Sequence, residues 1–307
     1  MQIDLKKFLK EVSVNEKLYL YPNPGNAGDA LIALGTKHLF EALKLNYTQV
    51  KDKDNFDPEN KIIIYSGGGN LVNYYTNSRE FLLENHEKMK RLIILPHTIN
   101  SNEDLLSAFG NNIDIITRER ISYEYVKNRC KKANVYLAED MAFYMDINRV
   151  LSYRPISFAD ILIRKIIYKS TRNPKIKTIP SPRIFLQAKR NEIITNFLTR
   201  GQKPRVLNCF RVDTEKTDFH VPRDNIDLSE VYKFGTDYQE LVDYQAKKFL
   251  GYLQKFDEIR TNRLHVAIGG ALLGKKVYLQ ANSYFKNRAI YEFSLKDKFP
   301  NVTWQES

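Results

Sequence analysis

Between residues 257 and 291 (DEIRTNRLHVAIGGALLGKKVYLQANSYFKNRAIY), four cationic or titratable side chains stand at two turns. Arg263 and His265 mark the first, Lys286 and Arg288 the second. The pattern around them reads strand, sharp turn, helix, strand, turn, helix, with a helix over 264–273 and a strand over 276–280. In an open α/β sheet, the loops leaving the carboxyl ends of strands gather on one edge, where ligands bind. Helix N-termini on that edge present free N–H groups and positive dipole ends, so this spacing fits the gripping of an anion. A cation in a helix first turn opposes the dipole and needs compensation, which makes Arg263 more informative than an ordinary surface arginine. The plainer alternative is solvated surface charge. A lone His265 would carry little weight, and gains it by lying two residues after Arg263 in the same turn.

The elements that must position these groups recur along the chain. A short amphipathic helix over 1–16 places Leu5, Phe8 and Leu9 on one face. A first strand over 17–21 runs into Pro22-Asn23-Pro24-Gly25-Asn26-Ala27-Gly28-Asp29, residues that tolerate unusual backbone angles. A helix over 30–44 follows. Asp29 either caps it or, with Asn26, lines a cleft between domains. The GxGxxG spacing of a dinucleotide fingerprint is absent. The strand over 61–66 is apolar and β-branched enough to be buried on both faces. It ends in Gly67-Gly68-Gly69-Asn70, where a ligand or another backbone can approach closely, with a merely flexible turn as the competing reading. Strands over 91–95, 113–117 and 134–137 alternate with helices over 77–90 and 103–109 and a helix opened by Arg118 that runs to 128. Polar residues recur at the strand ends (Asn26 and Asp29, Asn70, His97, Arg118, Asp140), which places them on one edge of a parallel, doubly wound sheet. A second α/β unit begins with a strand over 205–211 that ends in Arg211-Val212-Asp213-Thr214-Glu215, and it contains a long helix over 238–256. The expected organisation is a Rossmann-like domain over 1–148, a basic connector over 149–204 and a second Rossmann-like domain over 205–307.

Composition bounds the setting. The chain has 307 residues, 43% of them apolar and 27% charged, ordinary for a globular protein of one large or two modest domains. Cys130 and Cys209 form no CxxC pair, which argues against a disulfide framework or a structural zinc site. The charged N-terminus lacks the apolar core of a signal peptide, and no run is long enough to span a bilayer. A cytoplasmic location is expected. The net charge of +12 suits nucleic acid, an anionic membrane face or phosphorylated small molecules, and no nucleic-acid-binding motif is found. From 149 to 205 there are fourteen Lys/Arg against two acids. The part SFADILIRKIIYKSTR mixes Phe158, Ile161, Leu162, Ile166 and Ile167 with Arg164, Lys165, Lys169 and Arg172. An interfacial helix at the inner face of the plasma membrane carries this mixture, and so does an interdomain connector packed on the core.

Taken together, the turns resemble those of the polysaccharide pyruvyl transferase family. The resemblance runs through PGNAGDALIALGT, YSGGGNL, LPHTI, ITRERISYEYV, LAEDMAF, CFRVDTEK and, most specifically, RTNRLHVAIGGALLGKKVYLQANSYFKNRAIYE, in that order. It implies two Rossmann-like domains arranged as in GT-B glycosyltransferases, with the active site in the cleft between them. It also implies transfer of a pyruvyl group from phosphoenolpyruvate onto two hydroxyls of a sugar, in a surface glycan or its lipid-linked precursor. Phosphoenolpyruvate is then a co-substrate, and neither a cofactor nor a metal is required if arginines hold its carboxylate and phosphate. By motif position, Arg211, Arg263, Asn282, Lys286 and Arg288 would bind the donor. His265 would be the acid or a phosphate contact, and Asp29 or Asp140 the base. Asn26, Gly68, Asn70, His97 and Arg118 would line the cleft.

The chain departs from the family pattern at several of these turns. Asn262 stands where an aspartate is common, Ala281 and Phe285 where an acid and a glycine are, and His97 where glutamine is frequent. Two other readings fit the same cationic edge. One is a metal-independent glycosyltransferase of the same architecture using a nucleotide sugar, and the other a non-catalytic scaffold in an envelope-polysaccharide complex.

Overall fold

The computed structural model describes residues 1–51, 53, 55–75, 77–154, 157–171, 186, 189–190, 193–194, 196–197, 200–201, 204–217 and 220–306. They pack as two compact units. The first comprises Met1–Asn23, Leu31–Met145 and Tyr284–Pro300, and the second Pro24–Ala30, Asp146–Ser283 and Asn301–Ser307. Both are α/β with parallel sheets, as Rossmann-like domains are.

The strands of the first unit are β1 (Leu18–Tyr21), β2 (Tyr47–Gln49), β3 (Ile62–Tyr65), β4 (Gly68–Leu71), β5 (Arg91–Ile99), β6 (Ile113–Thr117) and β7 (Asn134–Leu137). They form one seven-stranded sheet of order β2-β1-β3-β5-β6-β7, with β4 alongside β5. The paired strands all run parallel. Side chains alternate between the faces of a strand, so a sheet covered on both sides needs apolar residues at every position. Ile63, Tyr65, Leu92, Ile94, Ile113 and Ile115 feed one core. Ile62, Ile64, Ile93, Leu95 and Ile116 feed the other. The chain helices are α1 (Leu5–Val12), α2 (Ala27–Leu43), α3 (Asn77–Asn85), α4 (Glu103–Ala108) and α5 (Arg120–Lys127). The strand order reverses between β1 and β3, and such a switch point is where open α/β sheets hold their ligands.

Three local departures from the sequence expectation matter for the site. The triple glycine does not form a free loop, because Gly68 to Leu71 pair with β5. Strand β5 does not stop before Pro96 but runs on through His97 to Ile99. Its register with β6 shifts between Ile94 and His97, an irregularity that accommodates a residue with no N–H to donate. Helix α2 starts at Ala27 rather than at 30.

The second unit holds β8 (Val206–Cys209), β9 (Glu258–Thr261), β10 (Lys276–Leu279) and β11 (Val302–Trp304), in the order β11-β10-β9-β8 and parallel throughout. Its helices are α6 (Ile147–Ser152), α7 (Phe158–Thr171), α8 (Leu228–Val231), α9 (Gln239–Leu253) and α10 (Leu264–Leu272). The last helix, α11 (Lys286–Ile290), lies within a segment of the first unit and continues as a π-helical turn, Tyr291–Leu295. Among the described residues, no helix is long and apolar enough to cross a membrane.

Candidate active site

At the switch point of the first unit, the ends of β1 and β3 diverge and expose polar backbone that side chains must satisfy. The Asn23 amide donates to the Gly67 carbonyl (3.3 Å). The Asn70 amide bonds both Asn23 and the Ser78 hydroxyl. Gly68 has φ +153°, a backbone conformation open to glycine, and the Asn23 amide fills the space a side chain would need. His97 is fully buried, and its Nε2 contacts Asn70 twice, 2.8 Å from the side-chain Oδ1 and 3.2 Å from the backbone nitrogen. Burial, then the neighbouring Arg118 charge, pushes the His97 imidazole down to about 3, against weaker opposing pulls from Asp140 and a hydrogen bond to the Ser66 backbone. His97 is therefore a neutral ring that braces the glycine strand.

Arg118 follows β6 and is one of the largest fully buried side chains. Its Nε donates to Thr98 Oγ1 (2.9 Å) and its Nη1 to Asp140 Oδ2 (2.7 Å). Asp140 caps the turn Met141–Tyr144, its Oδ1 accepting from the Ala142 N–H (2.8 Å). Both carboxylate oxygens of Asp140 are thus engaged, one by a cation, which makes Asp140 an orienter of Arg118 rather than a ready base. With two sides of the guanidinium pinned, Nη2 lies 2.7 Å from where a Cβ on Gly69 would stand. Lys286, itself buried, approaches the same position with its Cδ at 3.9 Å. Its ammonium sits 4.9 Å from the centre of the Tyr284 ring. The Arg118 guanidinium and the aliphatic stem of Lys286 therefore flank a stretch of backbone that has no side chain. Preorganised charge of that kind suits a carboxylate or a phosphate.

In the second unit, the turn before α2 closes by a reciprocal cap. The Gly28 N–H donates to Asn26 Oδ1 (2.8 Å), and the Asn26 N–H donates to Asp29 Oδ2 (2.9 Å). Asn26 is thus the cap, and Asp29 is the third helical residue reaching back, an arrangement equivalent to a capping box. This corrects the sequence placement of Asp29 at the N-cap. A Cβ on Gly28 would lie 2.5 Å from His265 Nδ1, so the glycine is what admits the half-buried imidazole.

Arg211 and Arg263 are brought close to one another, but through carboxylates. Arg211 donates to Asp213 from Nε (2.8 Å) and Nη2 (3.0 Å), and to Glu215 from Nη1 (2.7 Å). Arg263 donates to Asp227 from Nε (2.9 Å) and also from Nη2, while its Nη1 meets Asp213 Oδ2 (2.7 Å). Burial works against the Asp213 charge, yet the Arg211 hydrogen bonds and the Arg263 and Arg211 charges hold its carboxyl at about 2. Burial likewise opposes the Arg263 charge, and Asp227 with Asp213 overcomes it, keeping the guanidinium protonated. Arg263 is the N-cap of α10, so the compensation demanded by the dipole comes from the protein's own Asp213 and Asp227. Asn262 accepts from the Arg211 N–H (2.8 Å), and its amide reaches Thr217 Oγ1 (3.4 Å). The Asn282 amide donates to Glu215 Oε2 (3.3 Å). Arg288, on α11 of the first unit, is about half exposed and pairs with Glu292 one turn on (2.9 Å).

Sequence reasoning missed Asn23, Ser78 and Thr98, which fix Gly68, Asn70 and Arg118 in place. It also missed Asp213 and Asp227 as partners of Arg263. A β5 extended past its proline would have placed Thr98 beside Arg118. Asp227 has no local signal, because it is joined to Arg263 only by the tertiary fold.

The family model described as polysaccharide pyruvyl transferase matches residues 26–284. The chain is similar to the Bacillus subtilis (strain 168) protein named "Putative pyruvyl transferase EpsO", at 26% identity over 291 residues that span 87% of this chain and 81% of the relative. It is also similar to a crystal structure titled as that of a functional uncharacterized protein, KP1_0663, from Klebsiella pneumoniae subsp. pneumoniae NTUH-K2044. The TM-score is 0.73 and the identity 29%, covering 98% of this chain and 97% of that one.

Proposed function

The chain belongs to the polysaccharide pyruvyl transferase family, and from that premise we propose that it moves the pyruvyl group of phosphoenolpyruvate onto two hydroxyls of a sugar as a ketal. The acceptor is a surface polysaccharide or its lipid-linked precursor. In the reaction two C–O bonds form at C2 of the donor, and the C2–O bond to phosphate breaks. One hydroxyl proton is accounted for at the methylene carbon, which becomes a methyl group, and the other on the departing phosphate. The protein must therefore hold a donor with a carboxylate and a phosphate, donate one proton to carbon and remove protons from hydroxyls.

The observation that carries this reading is the buried Arg118, whose Nη2 lies against the bare backbone of Gly69 with the stem of the buried Lys286 alongside. A donor rich in negative charge gains most from cations that are already buried and oriented, because no reorganisation is needed when it binds. Arg118 and Lys286 are assigned to the donor, with Asp140 and Thr98 orienting Arg118. His265 is assigned the proton transfer to carbon, and Asp29 the hydroxyl proton. Arg211 and Arg263 shape the turn that carries His265.

The test is direct. Full-length protein incubated with phosphoenolpyruvate and a candidate acceptor glycan should release inorganic phosphate and give a new ketal methyl signal by NMR. Phosphoenolpyruvate alone should raise the melting temperature, and Lys286→Gln should reduce that rise. A melting temperature that ignores phosphoenolpyruvate but rises with a nucleoside diphosphate would overturn the donor assignment in favour of glycosyl transfer.

A further inference from the structure

Helix α7 (Phe158–Thr171) turns its apolar side to solvent. Leu162, Ile163, Ile166 and Ile167 are 42%, 55%, 68% and 40% exposed. A connector packed on the core would have buried them. At about 100° per residue, Leu162 and Ile166 lie roughly opposite Arg164 on the helix. Arg164 is the side held to the rest of the unit, through Glu240 of α9 (3.2 Å). The helix is thus tethered through Arg164, with Leu162, Ile163, Ile166 and Ile167 turned outward. Farther along, Ile193 and Phe197 are 61% and 76% exposed, among exposed Lys189, Arg190 and Arg200.

Charge points to what meets this face. From 149 to 205 the fourteen Lys/Arg exceed the two acids by the full +12 that the whole chain carries. Outside that stretch, acids and bases balance at thirty-four each, taken from totals of 48 Lys/Arg and 36 Asp/Glu. A second copy of the chain would bring the same excess of positive charge against itself. An anionic bilayer offers both an apolar layer for the isoleucines and negative headgroups for the lysines and arginines. We propose that α7 forms a docking surface for an anionic phospholipid membrane, with Leu162, Ile163 and Ile166 entering the headgroup–acyl boundary. This inference is independent of the reaction assigned above.

The experiment is co-sedimentation of the full-length protein with vesicles of phosphatidylcholine alone or mixed with phosphatidylglycerol, at low and high salt. The protein should partition onto the phosphatidylglycerol vesicles, weakly onto the neutral ones, and less at high salt. The double substitution Ile163→Ser/Ile166→Ser should lower the partition coefficient roughly tenfold or more, since each isoleucine removed from the acyl boundary forfeits most of its transfer free energy. Its melting temperature should stay near wild type, because both side chains are exposed. Val14→Ser, a change at a 65% exposed residue in the turn after α1, should leave partitioning unchanged. Equal partitioning of wild type and the double variant would overturn the proposal. So would absence of binding to any vesicle, or a concentration-dependent dimer in sedimentation that the double substitution dissolves.

Discussion

Replacing Asp213 with asparagine is the sharpest test of how the arginines of the second unit are used. Asp213 is a quarter exposed and sits between Arg211 and Arg263. Its carboxyl is held at about 2, against an ordinary value of 3.8. A group with a depressed folded value contributes its full stabilisation above the unfolded value and loses it as the pH falls through the folded one. The window is therefore from about pH 5 down to about pH 2. The gap corresponds to roughly 2 kcal/mol at neutral pH, of which about half should be gone by pH 3. Urea denaturation of wild type and Asp213→Asn at pH 7, 5, 4 and 3 separates this contribution from the other carboxylates, which titrate in both proteins. The variant should be less stable at pH 7 by roughly 2 kcal/mol, and the difference should shrink by about 1 kcal/mol at pH 3. A difference that does not change with pH would refute the account in which Asp213 is an ion partner of both arginines.

The remaining predictions concern the glycines, the buried pair and the neutral imidazole. Gly69→Ala should place a methyl group 2.7 Å from Arg118 Nη2, a group that Thr98 and Asp140 keep from moving aside. Phosphoenolpyruvate affinity by calorimetry should fall at least tenfold, with an overpacking cost of about 1–3 kcal/mol in unfolding. Gly28→Ala should displace His265 in the same way and lower kcat by about a hundredfold with a smaller change in donor affinity, as kinetics and calorimetry would show. Asp140→Asn leaves the Arg118 charge buried without a counter-ion and should cost about 3–5 kcal/mol by denaturation. The His97 imidazole, held at about 3, should stay neutral in the folded protein from pH 5 to 8 by nitrogen NMR. Its depressed value makes stability fall as the pH drops below 6.5, a dependence that His97→Gln should weaken.

The sheet of the first unit was legible because β3 (IIIY) and the LIIL run of β5 are apolar at every position, as a parallel sheet covered on both faces requires. Element boundaries were less legible where two local signals competed. Asn26 and Asp29 are both good caps, and only the pair of backbone bonds decides that Asn26 is the cap and Asp29 its reciprocal partner. Pro96 reads as the end of a strand, yet a register shift carries β5 past it and buries His97. Arg263 is the instructive case. A cation at a helix N-cap does need a negative partner, and the local sequence cannot say whether that partner is a ligand or a carboxylate 36 or 50 residues upstream. An arginine can grip a substrate only with the N–H directions that the protein leaves open. In Arg263 the internal carboxylates engage Nε, Nη1 and Nη2 alike. In Arg118 the internal partners take Nε and Nη1, and Nη2 is turned along the backbone of Gly69. Two arginines of similar burial thus differ in the N–H directions that internal partners leave open, which is why the donor site proposed above rests on the arginine at the end of β6 rather than on the one after β9.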